Sequence, residues 1–390
     1  MSREKHDYEE EAGAGLTRGD LLKRGAALAA MGIVPVSFGA SPAFAADEEV
    51  GGTLRYFGFQ GRDLQPAMTD WLKRNDVNMV ASYQVSPTDT IAKFRANRGS
   101  GVDILNTSVA DNPDYLRVGN ILRVLDKRKL PNLKNLSPIF AQRRNGLWTD
   151  FRGQLVAVPL LFNAFGMAYD SSKMPKPTSW FTLLDKKYTG RIAVLDNPVQ
   201  VFTIGAYMMG MTATKLTQAN VDKLVRDWVR PLVKQARSVS RSQGDAITLL
   251  SSGEAVAMFG ASPTVALQAI TAGNKNVRFN SNIKEGTVTV VMGYAIPPQA
   301  ENVDTAYAWI NALLTPRQNA AAANSVQFGT TVRGAHEFLN PSSRARYPYK
   351  TLDAFLQKTP ISIPPALRSA GNYIGIDKLQ EIWTTLKSGG

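Results

Sequence analysis

The chain contains no cysteine. That excludes disulfides, thiol catalysis and a lipid carried on a cysteine. Histidine is nearly as scarce, with two in 390 residues, and only His336 lies beyond the first 45 positions. A Ser-His-Asp triad, a Cys-His pair and a histidine-rich metal site are therefore excluded or strained. The Gly-x4-Gly-Lys phosphate loop, the His-Glu-x-x-His helix and the Gly-x-Ser-x-Gly elbow are missing as well. Past the N-terminal segment no apolar run is long enough to span a bilayer, and there is no internal repeat or low-complexity tract. These absences point away from an enzyme: we expect no catalytic residues, no metal and no cofactor.

What is present is a large apolar fraction, 44% against 20% charged. Over 390 residues that is enough to bury a core in each of two lobes. At the N-terminus, Lys23-Arg24 precedes an apolar stretch over 26–38, and Ala43-Phe44-Ala45 supplies a small-x-small cleavage site, the pattern of a removable export leader. Cleavage is expected after Ala45. The stretch Thr17-Arg18-Gly19-Asp20-Leu21-Leu22-Lys23 is similar to a twin-arginine signal with its second arginine replaced by Gly19, so twin-arginine and Sec export both stay open. An exported protein without a lipid anchor is kept near the cell by an outer membrane, which makes the periplasm of a Gram-negative cell the expected compartment. The formal charge is +13, much of it on Arg123, Lys127, Arg128, Lys129, Lys134, Arg143 and Arg144. The basic excess reads as a solvated surface or as attraction to anionic solutes and surfaces. Nucleic acid is not an expected partner, because no aromatic-basic interleaving offers bases a stacking platform.

Strand and helix signals alternate along the chain. Short strands are expected at 53–57, 78–83 and 102–106, with an amphipathic helix at 65–74 between the first two. Ser86-Pro87-Thr88-Asp89 is a helix start with a cap, proline at the first position and an acid in the first turn. Strands are expected at 154–159 and 164–169, where a first crossing between lobes is placed. A helix opened by Asp196-Asn197-Pro198 follows, then a strand at 254–259 and a helix from Ser262-Pro263 to Thr271. This alternation gives sheets covered by helices. Near the end, 288–296 reads as a buried strand stopped by Pro297-Pro298, which cannot donate to a ladder. Asn302 or Asp304 is then positioned to cap a helix carrying Ala306, Trp309, Ile310 and Leu313 at helical spacing.

Several of these segments together resemble the periplasmic solute-binding proteins of ABC importers, closest to the spermidine/putrescine-binding branch. They are the strand, Ile-Pro and helix of 293–317; the run Val124-Leu125-Asp126-Lys127-Arg128-Lys129-Leu130-Pro131-Asn132-Leu133-Lys134-Asn135-Leu136; the strand Val102-Asp103-Ile104-Leu105-Asn106-Thr107-Ser108; and Ser252-Gly253-Glu254-Ala255-Val256-Ala257-Met258. They fall in the family's order across 53–390. The resemblance implies an α/β, two-lobed type II periplasmic binding fold, with mixed sheets flanked by helices and lobes joined by crossing strands. On this reading 46–165 with 294–333 form one lobe and 166–293 with 334–390 the other. It further implies a small-molecule solute held between the lobes, ABC importer transmembrane subunits as partners, and a monomer. A periplasmic sensing module for a membrane receptor is a second possible role.

Carried over position by position, the family's ligand contacts fall on Phe59, Gln60, Arg62, Ser108, Asn197, Gln200 and Met292. The family's aromatic run after the first strand becomes Phe59-Gln60-Gly61-Arg62, its Asp-x-x-Glu becomes Asn197-Pro198-Val199-Gln200, and its later tryptophan and aspartate become Val290 and Met292. Its remaining tryptophan falls on Gly260, and Ala110 replaces a tyrosine. Three acids are thus neutral, and an arginine replaces an aromatic ring. An ammonium buried without a counter-charge is disfavoured by several kcal/mol. The expected solute is accordingly neutral, zwitterionic or anionic rather than a linear polycation, with Arg62 available as an anion clamp. Arg62 as a surface arginine, Asn197 as a plain helix cap, Gln200 as a surface residue and Met292 as core packing are the competing structural readings.

Overall fold

A computed structural model describes residues 50–389 apart from 60, 85–86, 143 and 145. The expected leader and the expected site residue Gln60 lie outside the described residues. Eleven strands are assigned among those described: β1 Gly52–Gly58, β2 Val77–Tyr83, β3 Ile104–Ser108, β4 Val158–Ala164, β5 Gly166–Asp170, β6 Ile192–Leu195, β7 Ala236–Ser240, β8 Ala257–Ala261, β9 Val277–Asn280, β10 Thr289–Ala295 and β11 Gly329–Thr330. They form two sheets, ordered β11-β4-β10-β3-β1-β2 and β7-β6-β8-β5-β9. In the first, β1 is parallel to β2 and β3, and β10 runs antiparallel between β3 and β4. The second repeats the pattern, with β6 parallel to β7 and β8, and β5 antiparallel between β8 and β9. Parallel neighbours need crossover connections, and the helices Thr69–Arg74 and Pro87–Asn97 make them between β1, β2 and β3. β4, β5, β8 and β10 are buried along their whole length. This is why they read as apolar runs instead of alternating strands.

Each sheet has its own core. In the first, Trp71 meets Trp309 edge to face at 5.3 Å, and Phe140 stacks on Phe162 at 5.6 Å. In the second, Trp180 and Trp228 close on Phe259 at 4.9 and 5.4 Å.

The division between lobes differs from the expected one at two points. Residues 289–293 belong to the first sheet, because β10 pairs with β3 and β4 along its length. Residues 335–356 also pack with the first core: Tyr347 sits 4.7 Å from Phe162, and Ala335, Leu339, Leu352 and Leu356 join the same cluster. Of the segment assigned to the second lobe, only the region of Ile374 and the helix Ile376–Lys387 packs on the second core, through Leu379, Trp383 and Leu386. Strand pairing and aromatic packing decide both points, and neither was visible as a composition change.

The chain passes between the sheets at three adjacent places. The first is Phe165, between β4 and β5; its N–H donates to the Val288 carbonyl at 3.0 Å. The second is Val288, leading into β10. The third is 359–362, where Thr289 N–H donates to Pro360 O at 2.8 Å and Ser362 N–H donates to Thr289 O at 2.7 Å. Thr289 Oγ1 also lies 3.2 Å from Thr359 Oγ1. Three strands bonded side by side form one narrow hinge.

Helix Val303–Leu313 starts at Asn302, but not by the expected side-chain cap. Asn302 Nδ2 is turned instead to the carbonyls of Gly51 and Thr53, at 2.7 and 3.1 Å. The entry to the helix is held by Asp103, which is fully buried. It accepts the N–H groups of Glu301 and Asn302, both at 2.9 Å, and that of Arg55 at 2.9 Å, with the Arg55 guanidinium 3.5 Å away. One carboxylate thereby ties β1 and β3 to the helix after β10. Asp103→Ala leaves three N–H groups without their charged acceptor, and each such bond is worth about 1.5–3 kcal/mol in the absence of a replacement. The expected loss of stability is about 3 kcal/mol by urea unfolding, far above that of an exposed Asp353→Ala control.

Candidate functional site

In open sheets of this kind the space beyond the carboxyl ends of parallel strands receives ligands. β1 ends at Gly58, where an added Cβ would lie 2.4 Å from Asn106 Cβ and 2.5 Å from the Tyr56 hydroxyl oxygen. Glycine is thus required for the chain to leave the sheet there. The loop that follows is pinned by two buried tyrosines: Tyr56 donates to Phe59 O at 3.0 Å and Tyr294 donates to Arg62 O at 2.5 Å. Their rings meet edge to face at 6.1 Å, and Tyr83 packs on Tyr56 at 6.4 Å from the other side.

This loop presents Arg62. Its guanidinium carbon lies 4.8 Å from the Phe59 ring centre and 5.5 Å from that of Phe328. The residue keeps partial exposure although protein surrounds it closely. Burial lowers its pKa, and the nearby Tyr56, Asp111 and Tyr294 oppose that shift. Rings stabilise a cation through their faces, by about 0.5–2 kcal/mol, but they do not take in-plane hydrogen bonds. Among the described residues no carboxylate comes within 4.0 Å of the guanidinium and it makes no side-chain hydrogen bond. Its edge stays available, and a planar five-donor fork matches a carboxylate or phosphate.

Asp111 lies beyond the end of β3, three residues after Ser108. It is half-buried, and its pKa is pushed up to about 7, first by burial and then by Asp114, against a lowering by Arg62. Asp63, next to Arg62 in the chain, is occupied: it accepts the Gln65 N–H at 3.2 Å and the Tyr83 hydroxyl at 3.2 Å.

The expected site residues separate into three groups. Phe59 and Arg62 are brought together, with Ser108 at the neighbouring strand end, half-buried and opposite Met292 in the ladder. Asn197 and Gln200 belong to the second lobe and serve local structure. Asn197 accepts the Gln200 N–H at 3.0 Å to cap helix Pro198–Met208, and Gln200 Nε2 donates to Gly260 O at 2.9 Å. Gly260 has φ +64 and its hydrogen would face Gln200, so a tryptophan there would be strained. No hydrogen bond or ion pair joins these residues to Arg62 among those described. Met292 is corrected: it is fully buried in the first core, its side chain packing inward because β10 is covered on both faces. Sequence reasoning missed Asp111 and Phe328. An acid just past a strand end was a usable signal for Asp111. Phe328 reaches Arg62 only through the fold. The lobes also touch nearby, where Thr264 Oγ1 donates to Val326 O at 2.5 Å.

With this geometry in hand, comparison with known proteins is informative. The family model of bacterial extracellular solute-binding proteins matches residues 67–343. A putrescine-binding periplasmic protein, SpuD of Pseudomonas aeruginosa, is 25% identical over 374 residues, covering 90% of this chain and 95% of that protein. The crystal structure of the TpPotD lipoprotein of Treponema pallidum superposes with a TM-score of 0.69 at 20% identity, covering 86% of this chain and 99% of that one. That of the AgtB binding protein of A. tumefaciens R10, in complex with agropinic acid, gives 0.60 at 15% identity, covering 87% and 97%. These likenesses establish the type II periplasmic binding fold, and no helix among the described residues is long and apolar enough to cross a membrane. The family model spans well over half of the sequence, and this chain belongs to the bacterial extracellular solute-binding protein family.

Proposed function

We propose that this chain is a periplasmic receptor that captures a small solute bearing an anionic group, closes around it, and passes it as a monomer to an ABC importer. The observation that carries the solute class is Arg62: a guanidinium fixed between two rings, with its donor edge unpaired among the described residues. A ligand carboxylate there forms bidentate charge-assisted bonds in a partly desolvated site. Asn197 and Gln200, already committed to a cap and to Gly260 O, add no negative charge from the second lobe. The hinge supplies the motion, and the solute drives closure by its greater affinity for the closed state.

A polyamine is the rival solute. It is favoured by the name of the SpuD relative and by the Asp63 carboxylate beside Tyr83 and Tyr56. Against it stands Arg62 itself, whose charge repels an ammonium.

Titration calorimetry on ligand-stripped protein separates the two. Putrescine and spermidine are expected to show no micromolar binding, whereas the solute that copurifies, identified by mass spectrometry after denaturation, is expected to carry a carboxylate or another anion. Micromolar binding of either polyamine overturns the reading. Arg62→Gln should weaken binding of the copurified solute about 10- to 100-fold, the equivalent of one bidentate charged contact. Arg62→Lys should recover only part of it, because an ammonium cannot form the fork.

The ligand-free site also has a signature in stability. Asp111 titrates at about 7 in the folded protein and near 4 unfolded. Between these values the folded state holds a proton that the unfolded state has released, so the Asp111 contribution is fully present below about pH 4 and is lost as pH rises through about 7. Asp111→Asn should therefore be close to neutral at pH 4 and stabilising at pH 8 by about 1–3 kcal/mol, after allowance for solvent screening. Urea unfolding at the two pH values reads this difference, and a variant effect independent of pH would remove Asp111 from the list of strained groups.

A further inference from the structure

We propose that a recess at the outer edge of the second sheet is a second anion site, separate from the one around Arg62, which takes a small carboxylate or phosphate on Arg241 and Lys387. This goes beyond the receptor reading and does not depend on it.

The recess lies past the carboxyl ends of two parallel strands, where open sheets receive ligands. β6 ends at Leu195 and β7 at Ser240. The Asp196 N–H donates to Ser240 O at 2.9 Å, so the two strand ends leave the sheet side by side. Asp196 follows one strand and Arg241 follows the other, and the last turn of helix Ile376–Lys387 brings Lys387 to them. All three side chains line one recess of about 390 Å³, with Ser238 beside them and Val233 and Val239 as an apolar wall. That volume suits a small organic ligand. β7 is the edge strand, separated by β6 and β8 from β5, which leads out of the hinge.

The charges of the recess do not cancel. Asp196 is fully committed: both its oxygens accept from the Lys387 ammonium, at 2.7 and 2.6 Å, and one accepts the Trp383 indole N–H at 2.6 Å. Burial raises the Asp196 pKa, but Lys387, Trp383 and Arg241 outweigh it and hold the carboxyl below its usual range. This ion pair also anchors the C-terminal helix to the end of β6. Arg241 takes no part in the anchor. It is exposed, and among the described residues no carboxylate comes within 4.0 Å of its guanidinium and it makes no side-chain hydrogen bond. Two cations around one carboxylate leave a positive charge unmatched in the recess.

That excess selects the ligand. A cation entering the recess meets two like charges. A neutral apolar molecule rests on Val233 and Val239 but leaves Arg241 unpaired. A carboxylate or phosphate matches the planar fork of Arg241 with two charge-assisted bonds. An ammonium has three donors, and Asp196 takes two from Lys387, so the third and the Ser238 hydroxyl complete the donor set. A short aliphatic body then covers the two valines.

The Nε–H resonances of arginine side chains in the full, ligand-stripped chain read this site directly, and the Arg241 signal is the one missing from Arg241→Gln. Acetate and inorganic phosphate, each added at constant ionic strength against chloride, should shift that signal and saturate with a dissociation constant on the order of a millimolar. The probe that binds tighter identifies the source chemistry. Arg62→Gln should leave both titrations unchanged, which separates this site from the solute reading. Calorimetry in the Arg62→Gln background should show Arg241→Gln weakening the preferred anion at least about tenfold, the loss of one charged contact. Arg241→Lys should restore part of it. An unchanged melting temperature without added anion verifies that Arg241→Gln folds. A shift that chloride reproduces, a titration that disappears in Arg62→Gln, or an affinity that survives Arg241→Gln each overturns the site.

Discussion

Thr289 sits where the two halves of the molecule become one. Its backbone bonds to both sides of the third crossing, at Pro360 and Ser362, while its neighbour Val288 receives the Phe165 N–H from the first. Three crossings laced together in this way tie the sheets to one another along one line of backbone bonds, and a motion that separates the crossings breaks them. The carboxyl ends of β1 and β3 and the start of helix Pro198–Met208 lie on separate lobes, so their approach is governed by this hinge.

The proposed solute site around Arg62 is organised by a different constraint, the placement of charge that the described residues do not satisfy. Elsewhere the fold uses its buried carboxylates fully: Asp103 ties β1, β3 and a helix entry together, and Asp170 accepts from Ser172 and Asn274. Arg62 and Asp111 are the exceptions. Two phenylalanine rings and three tyrosines hold Arg62 and its loop without consuming its donor edge. On the proposed reading, interactions left unmade at Arg62 in the free protein become the differential affinity that a ligand brings to the closed state.

Much of the fold was legible in the chain. The helix from Pro198, the helix from Pro263 and the strand ended by Pro297-Pro298 follow from proline's missing donor and fixed φ, and they appear where expected. Elements that depend on partners moved. The strand expected at 154–159 is β4, at Val158–Ala164, because pairing with β10 defines it. The expected cap Asn302 gave its side chain to Gly51 and Thr53, and the helix entry is held from Asp103 instead. Of the candidate site residues, Arg62 and Phe59, singled out as departures from a family pattern, pack against each other, whereas Met292, singled out by alignment, is buried in the first core.

The chain by itself determined the absence of thiol chemistry and the alternation of strands and helices, since each is a property of residue type and spacing. Tertiary structure alone decided which lobe owns residues 289–293 and 335–356, because β pairing and the Tyr347–Phe162 contact join segments far apart in sequence. It also decided the surroundings of Arg62. Phe328 lies 266 positions away and reaches the guanidinium through the end of a different helix. Asp111 became conspicuous only when every neighbouring acid had found a partner. Residue type fixes what charge a position carries, and the folded environment fixes whether that charge is already spoken for.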